Sequence, residues 1–70
     1  MVKVGRYRHF KGGFYVVLGI ATHAETMEEM VLYLSEKTGE TWAGPVINFI
    51  ETLKDGQRRF TLIEDEDSER

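Results

Sequence analysis

Cysteine is absent from the 70 residues, which excludes a disulfide framework, a thiolate zinc site, a cysteine nucleophile and thiol redox chemistry, and suits a cytoplasmic protein. No apolar stretch approaches the ~20 residues needed to cross a bilayer. The start of the chain has no basic segment followed by an apolar run and a small-residue cleavage site, so neither export nor a membrane span is expected. Serine is scarce: only Ser35 and Ser68 occur, and Ser68 sits among charged residues with nothing to hold a base beside it, which sets hydrolase chemistry aside. Gly12-Gly13 is followed by neither a Lys-Ser/Thr pair nor a helix start, so it is a turn and not a phosphate loop.

What is present points to one thin-cored domain. A short chain buries a small fraction of its surface, and a core of this size seldom supplies more than roughly 3–5 kcal/mol. Most apolar residues are therefore needed for folding. The net charge of −3 is unevenly spread. Glu64, Asp65, Glu66, Asp67 and Glu69 against Arg70 leave residues 64–70 at −4, hence +1 for the other 63. We expect a domain over 1–63 and an acidic, disordered tail over 64–70. The first eleven residues hold Lys3, Arg6, Arg8 and Lys11 with no acidic residue.

Alternation dominates the body. Phe14, Val16, Leu18 and Ile20 fall on one side of an extended chain, with Tyr15, Val17, Gly19, Ala21 and His23 on the other. Tyr7–Phe10 is a shorter strand, and Lys11-Gly12-Gly13 provides the positive-φ residues of a tight hairpin. Glu29–Glu36 reads as a third strand, although Met27, Met30, Val31 and Leu34 also fit helical spacing. Lys37-Thr38-Gly39-Glu40 is a turn, and Thr41-Trp42-Ala43 a short fourth strand. Pro45 suits a helix start, and Val46, Phe49, Ile50 and Leu53 make one apolar face of a helix of about two turns. Lys54–Gln57 ends it, and Arg58–Ile63 alternates again. The chain is therefore expected to be mainly β: a small five-stranded, strongly curved antiparallel sheet or SH3-like barrel with one short helix before the last strand. An open antiparallel sheet with the helix packed across it fits the same pattern.

The run Tyr7-Arg8-His9-Phe10-Lys11-Gly12-Gly13-Phe14-Tyr15-Val16-Val17-Leu18-Gly19-Ile20-Ala21-Thr22-His23, followed by Glu25-Thr26, resembles the opening signature of a small bacterial family known as domain of unknown function 1653 (DUF1653). The likeness continues through Glu28–Tyr33, Trp42, Pro45 and Phe49–Glu51 and ends near Phe60. It implies a small β-rich domain and no assigned activity. The chain departs from the usual pattern at Met27, a turn position where glycine is common, and at Gly44, where arginine often precedes the proline.

Arg6 to Lys11 interleaves positive charge with aromatic faces, the chemistry that single-stranded nucleic acid needs. The competing expectation is that Tyr7 or Phe10 packs inside while the charges guard an edge strand. A body of +1 is also a poor electrostatic funnel. Tyr33 and Trp42 suit a groove for peptides or bases, against the expectation that a single tryptophan in a thin core fills volume. A candidate binding surface thus comprises Tyr7, Arg8, His9, Tyr15 and Trp42. His23 and Glu25 lie two residues apart, and with His9 they raise acid/base or metal chemistry as the alternative. A metal needs three or four ligands, which the spacing does not assemble. We expect a binding or accessory module for a peptide or nucleic acid, with no catalytic residue, metal or cofactor assigned, no membrane role, and homo-oligomerisation through edge strands as a further option.

Overall fold

A computed structural model describes residues 2–63, and the segment 64–70 expected as a disordered tail lies outside the described residues. Strand β1 spans Gly5–His9, β2 Phe14–Thr22, β3 Glu29–Ser35 and β4 Thr41–Pro45; a helix α1 over Val46–Phe49 precedes β5, Phe60–Leu62. Every neighbouring pair is antiparallel, and the spatial order is β4-β3-β2-β1-β5. The third segment is a strand, not a helix.

Turn chemistry explains the hairpins. Between β1 and β2, Gly12 and Gly13 adopt φ of 98° and 87°, which side chains resist, while the His9 N–H donates to the Gly13 carbonyl at 3.0 Å. Between β3 and β4, Gly39 at φ 77° donates its N–H to the Ser35 carbonyl, and the Ser35 N–H donates to the Glu40 carbonyl. That closure fixes the register: Leu34 faces Thr41 and Tyr33 faces Trp42.

Two expectations about faces and closure need correction. The register of β2 against β3 shifts between Val17 and Gly19, so Leu18 is an extra residue and the alternation changes phase. Ile20 therefore pairs with Val31 on the face of Val17 and does not share the side of Phe14 and Val16. The sheet also does not close into a barrel: β4 pairs only with β3 and β5 only with β1, leaving an open sheet with the helix packed across it. The inner face is sealed by side chains instead of backbone, with Phe49 of α1 stacked on Phe60 of β5 at 4.1 Å and 10°.

The helix is a single turn. Ile50 caps it at φ −90°, ψ 6°, and the chain then folds back on itself, with Leu53 N–H donating to the Gln57 carbonyl, Thr52 bridging Arg58 and Arg59 N–H donating to the Glu51 carbonyl. This small hairpin removes Ile50 and Leu53 from the expected helical face and leaves Ile50 exposed. The core draws Tyr7, Val17, Val31, Phe49 and Phe60 from five different elements, with Tyr15, Tyr33, Val46 and Leu62 packed against it. Burying each such side chain stabilises the fold by about 1.5–3 kcal/mol. Among the described residues no helix is long and apolar enough to cross a membrane.

Candidate ligand-binding hollow

The inner face does not end at the buried core. Tyr7 and His9 of β1, Tyr15 of β2, Tyr33 and Ser35 of β3, Trp42 of β4 and Phe60 of β5 share that face through their cross-strand pairings. Toward the turn end of the sheet they enclose a hollow of about 180 Å³, walled by His9, Tyr15, Tyr33, Trp42 and Phe60, with Ser35, Thr38 and Glu40 on its polar side. Tyr15, Tyr33 and Phe60 stand edge to face with centroids 5.5–5.6 Å apart, an arrangement the ring quadrupoles favour. Trp42 is 51% exposed, because it lies on an edge strand that has no neighbour beyond it among the described residues. The expectation that the single tryptophan fills the core is thus not met.

A second cavity of about 140 Å³ meets the first at Tyr33 and Phe60 and is bounded by Gly44, Asn48, Phe49 and Arg59. One Arg59 terminal nitrogen is 2.9 Å from a Glu51 carboxylate oxygen, but its buried Nε has no acceptor among the described residues. Gly44 leaves room there: a Cβ would come within 3.7 Å of the Tyr33 hydroxyl. The first hollow thus has Glu40 among its lining residues, and the second has Arg59, whose Nε–H finds no acceptor among the described residues.

Protonation follows from the surroundings. Burial, then the charges of Arg59 and Lys11, holds the His9 imidazole below its ordinary value of 6.5, so the ring is neutral at pH 7. Its Nδ1 accepts the Lys11 N–H at 3.2 Å, which leaves the proton on Nε2. Burial, then the neighbouring Tyr15, pushes the Tyr33 phenol up, so it remains a hydrogen-bond donor throughout the neutral range.

Of the residues singled out from the sequence, His9, Tyr15 and Trp42 meet at the hollow. Tyr7 does not: it is buried in the core beside Phe49, and its hydroxyl donates to the Lys3 carbonyl at 2.8 Å. Arg8 does not either, because its parity in β1 places it on the outer face, exposed. His23 and Glu25 lie in the β2–β3 turn, where His23 Nδ1 accepts the N–H of Glu25 and of Thr26 at 3.2 and 3.3 Å. His23 is separated from His9 by the length of β2, about 30 Å of extended chain. Among the described residues no cluster of His, Asp or Glu could hold a metal ion. Ser35, Thr38, Glu40, Asn48, Arg59 and Phe60 also line the two cavities and are not among the residues that the sequence singles out. Hairpin counting from Gly39 was the signal for Ser35 and Glu40; Phe60 and Arg59 had none.

A model of the family described as protein of unknown function (DUF1653) matches residues 5–62. The chain is also similar to the crystal structure of a protein belonging to DUF1653 from Bordetella bronchiseptica, at 31% identity and a TM-score of 0.80, covering 89% of this chain and 87% of that one. No curated protein matches it.

Proposed function

We infer that this chain, which belongs to the DUF1653 family of proteins of unknown function, is a peptide-binding module that receives its ligand on the inner face of the sheet. The observation that carries this reading is the aromatic hollow opening beside an unpaired edge strand. Among the described residues β4 has no partner on its outer side, and Trp42, half exposed, lies on that edge strand and lines the hollow. An extended peptide added along β4 gains main-chain hydrogen bonds, and every second side chain reaches the inner face, where the hollow selects it. In the second cavity the unsatisfied Arg59 Nε–H offers a donor to a carbonyl of the same peptide.

Nucleic acid is the weaker partner on this geometry. Bases would stack on the inner face, whereas Arg6 and Arg8 lie on the outer one, and Arg6 is held by Glu36 through contacts of 2.8 and 3.0 Å. Arg6 and Arg8 are therefore on the opposite side of the sheet from the rings of the hollow, and the ring that Arg6 covers is that of Phe14, at 4.3 Å on the outer face. The test is selection of a random peptide display library on the immobilised chain, followed by affinity measurement on the wild type and on Trp42→Ala. We expect enriched peptides whose binding falls about tenfold, or ~1.4 kcal/mol, in the variant. No enrichment, or equal binding to Trp42→Ala, overturns the reading. Saturable binding of a single-stranded oligonucleotide that is lost in Arg8→Ala would replace the peptide by nucleic acid.

A further inference from the structure

We propose that the hollow between Tyr15, Tyr33 and Trp42 is a site for an organic cation, an alkylated or quaternary ammonium group, with Glu40 as its counter-charge. The inference rests on the peptide-binding reading in that such a group is the anchor side chain the peptide would carry.

Three observations point the same way. The walls are aromatic rings contributed by different strands, and a cation that meets the face of such a ring is attracted by its quadrupole. A bulky, weakly hydrated ammonium gives up less hydration on entering an aromatic pocket than a compact one. Among the described residues that line the hollow, Glu40 is the only carboxylate, and burial, then Arg59 and Lys11, keeps the one basic group, His9, in its neutral form. The Glu40 carboxylate makes no hydrogen bond or ion pair among the described residues, unlike Glu36 and Glu51, each of which is held by an arginine. Finally, the hydroxyls of Ser35 and Thr38 lie on the same polar side but are committed locally, each accepting a backbone N–H of the β3–β4 turn. The Thr38 hydroxyl thereby fixes the Glu40 backbone, and each hydroxyl keeps its own O–H to donate.

The positive charges of Arg59 and Lys11 act on His9, on the β1 side of the hollow. The cation is placed on the β4 side, between Tyr15, Tyr33 and Trp42, and Arg59 is itself paired with Glu51 at 2.9 Å.

Trp42 is the single tryptophan and lines the hollow, so its fluorescence reports occupancy directly. The intact chain is titrated with choline, with its neutral isostere 3,3-dimethylbutan-1-ol, and with acetate, at constant ionic strength. We expect choline to give a saturable change in Trp42 emission at roughly millimolar concentration. The neutral isostere should bind at least about tenfold more weakly, and Glu40→Gln should weaken choline by about fivefold while leaving the isostere unchanged. Equal binding of choline and the isostere, stronger binding of acetate, no response to choline, or an unaltered choline affinity in Glu40→Gln each overturns the proposal. Failure of the two readings is separable. A displayed peptide that binds through Trp42 with an acidic or neutral anchor overturns the cation site and leaves the peptide module standing. Choline binding with no selectable peptide does the reverse.

Discussion

His9 shows how one side chain serves two purposes. Its ring packs edge-on against Phe60 at 4.9 Å and borders the hollow, while its Nδ1 accepts the Lys11 N–H and so holds the β1–β2 turn. Both roles need the neutral ring, and burial, then Arg59 and Lys11, disfavours the charged one. Because the native value lies below the unfolded value of 6.5, the unfolded chain binds the proton more readily. The stabilisation from His9 is therefore complete above pH 6.5 and is lost as pH falls through the lower native value. Thermal unfolding followed between about pH 7.5 and pH 5 should show a larger fall in Tm for the wild type than for His9→Asn, which keeps a local acceptor without titrating. Equal falls would show that the imidazole contributes nothing to that pH dependence. Tyr7 and Arg8 make the complementary point: adjacent residues of an alternating strand face opposite ways, so a run of mixed basic and aromatic residues is divided by the sheet it belongs to.

At the scale of elements, the β2–β3 turn stores a cost that the chain need not carry. Met27 adopts φ 66°, the left-handed region, and is 70% exposed, so its side chain gains little in exchange. Glycine, the residue the family resemblance places there, meets no Cβ penalty at that φ. Removing a penalty of about 1–2 kcal/mol, less the added freedom of glycine in the unfolded chain, should make Met27→Gly more stable by roughly 0.5–1 kcal/mol. A urea titration reads this as a higher midpoint at unchanged slope; a lower midpoint would mean that Met27 makes contacts worth more than its strain. The bulge at Leu18 acts at the same scale. By inserting one residue opposite the Val17–Tyr33 pair, it turns Ile20 toward the core side and re-aims the far half of β2. Gly19, with no side chain, sits where such an irregularity is easiest to accommodate.

For the whole molecule, the hollow and the core are one structure. Phe60 belongs to the buried cluster, Tyr15 and Tyr33 pack against it, and all three line the hollow; the cluster takes one residue each from β1, β2, β3, α1 and β5. No strand can leave without opening the site. Unfolding in urea should accordingly be a single transition, with Trp42 fluorescence at the hollow and far-ultraviolet circular dichroism of the sheet giving the same midpoint. An earlier fluorescence change would show that the β4 edge opens independently of the core. Much of this architecture was already legible along the chain. Period-two alternation and the glycines at 12, 13 and 39 are local properties, and they determined the strands, the hairpins and, by counting back from Gly39, the pairing of Tyr33 with Trp42. Tertiary structure decided the rest, since it depends on what lies across the sheet. Both faces of β3 are apolar, Val31 and Tyr33 on one and Met30, Leu32 and Leu34 on the other, so alternation alone could not say which face α1 would cover. The truncation of the helix follows from the pairing of Thr52 with Arg58, and the aromatic walls from β5 crossing beside β1. These are contacts between segments far apart in the chain, where periodicity carries no signal. The sequence by itself therefore determined a β domain with its turns, and only the packing of Phe49 and Phe60 over the inner face decided where that domain has a site.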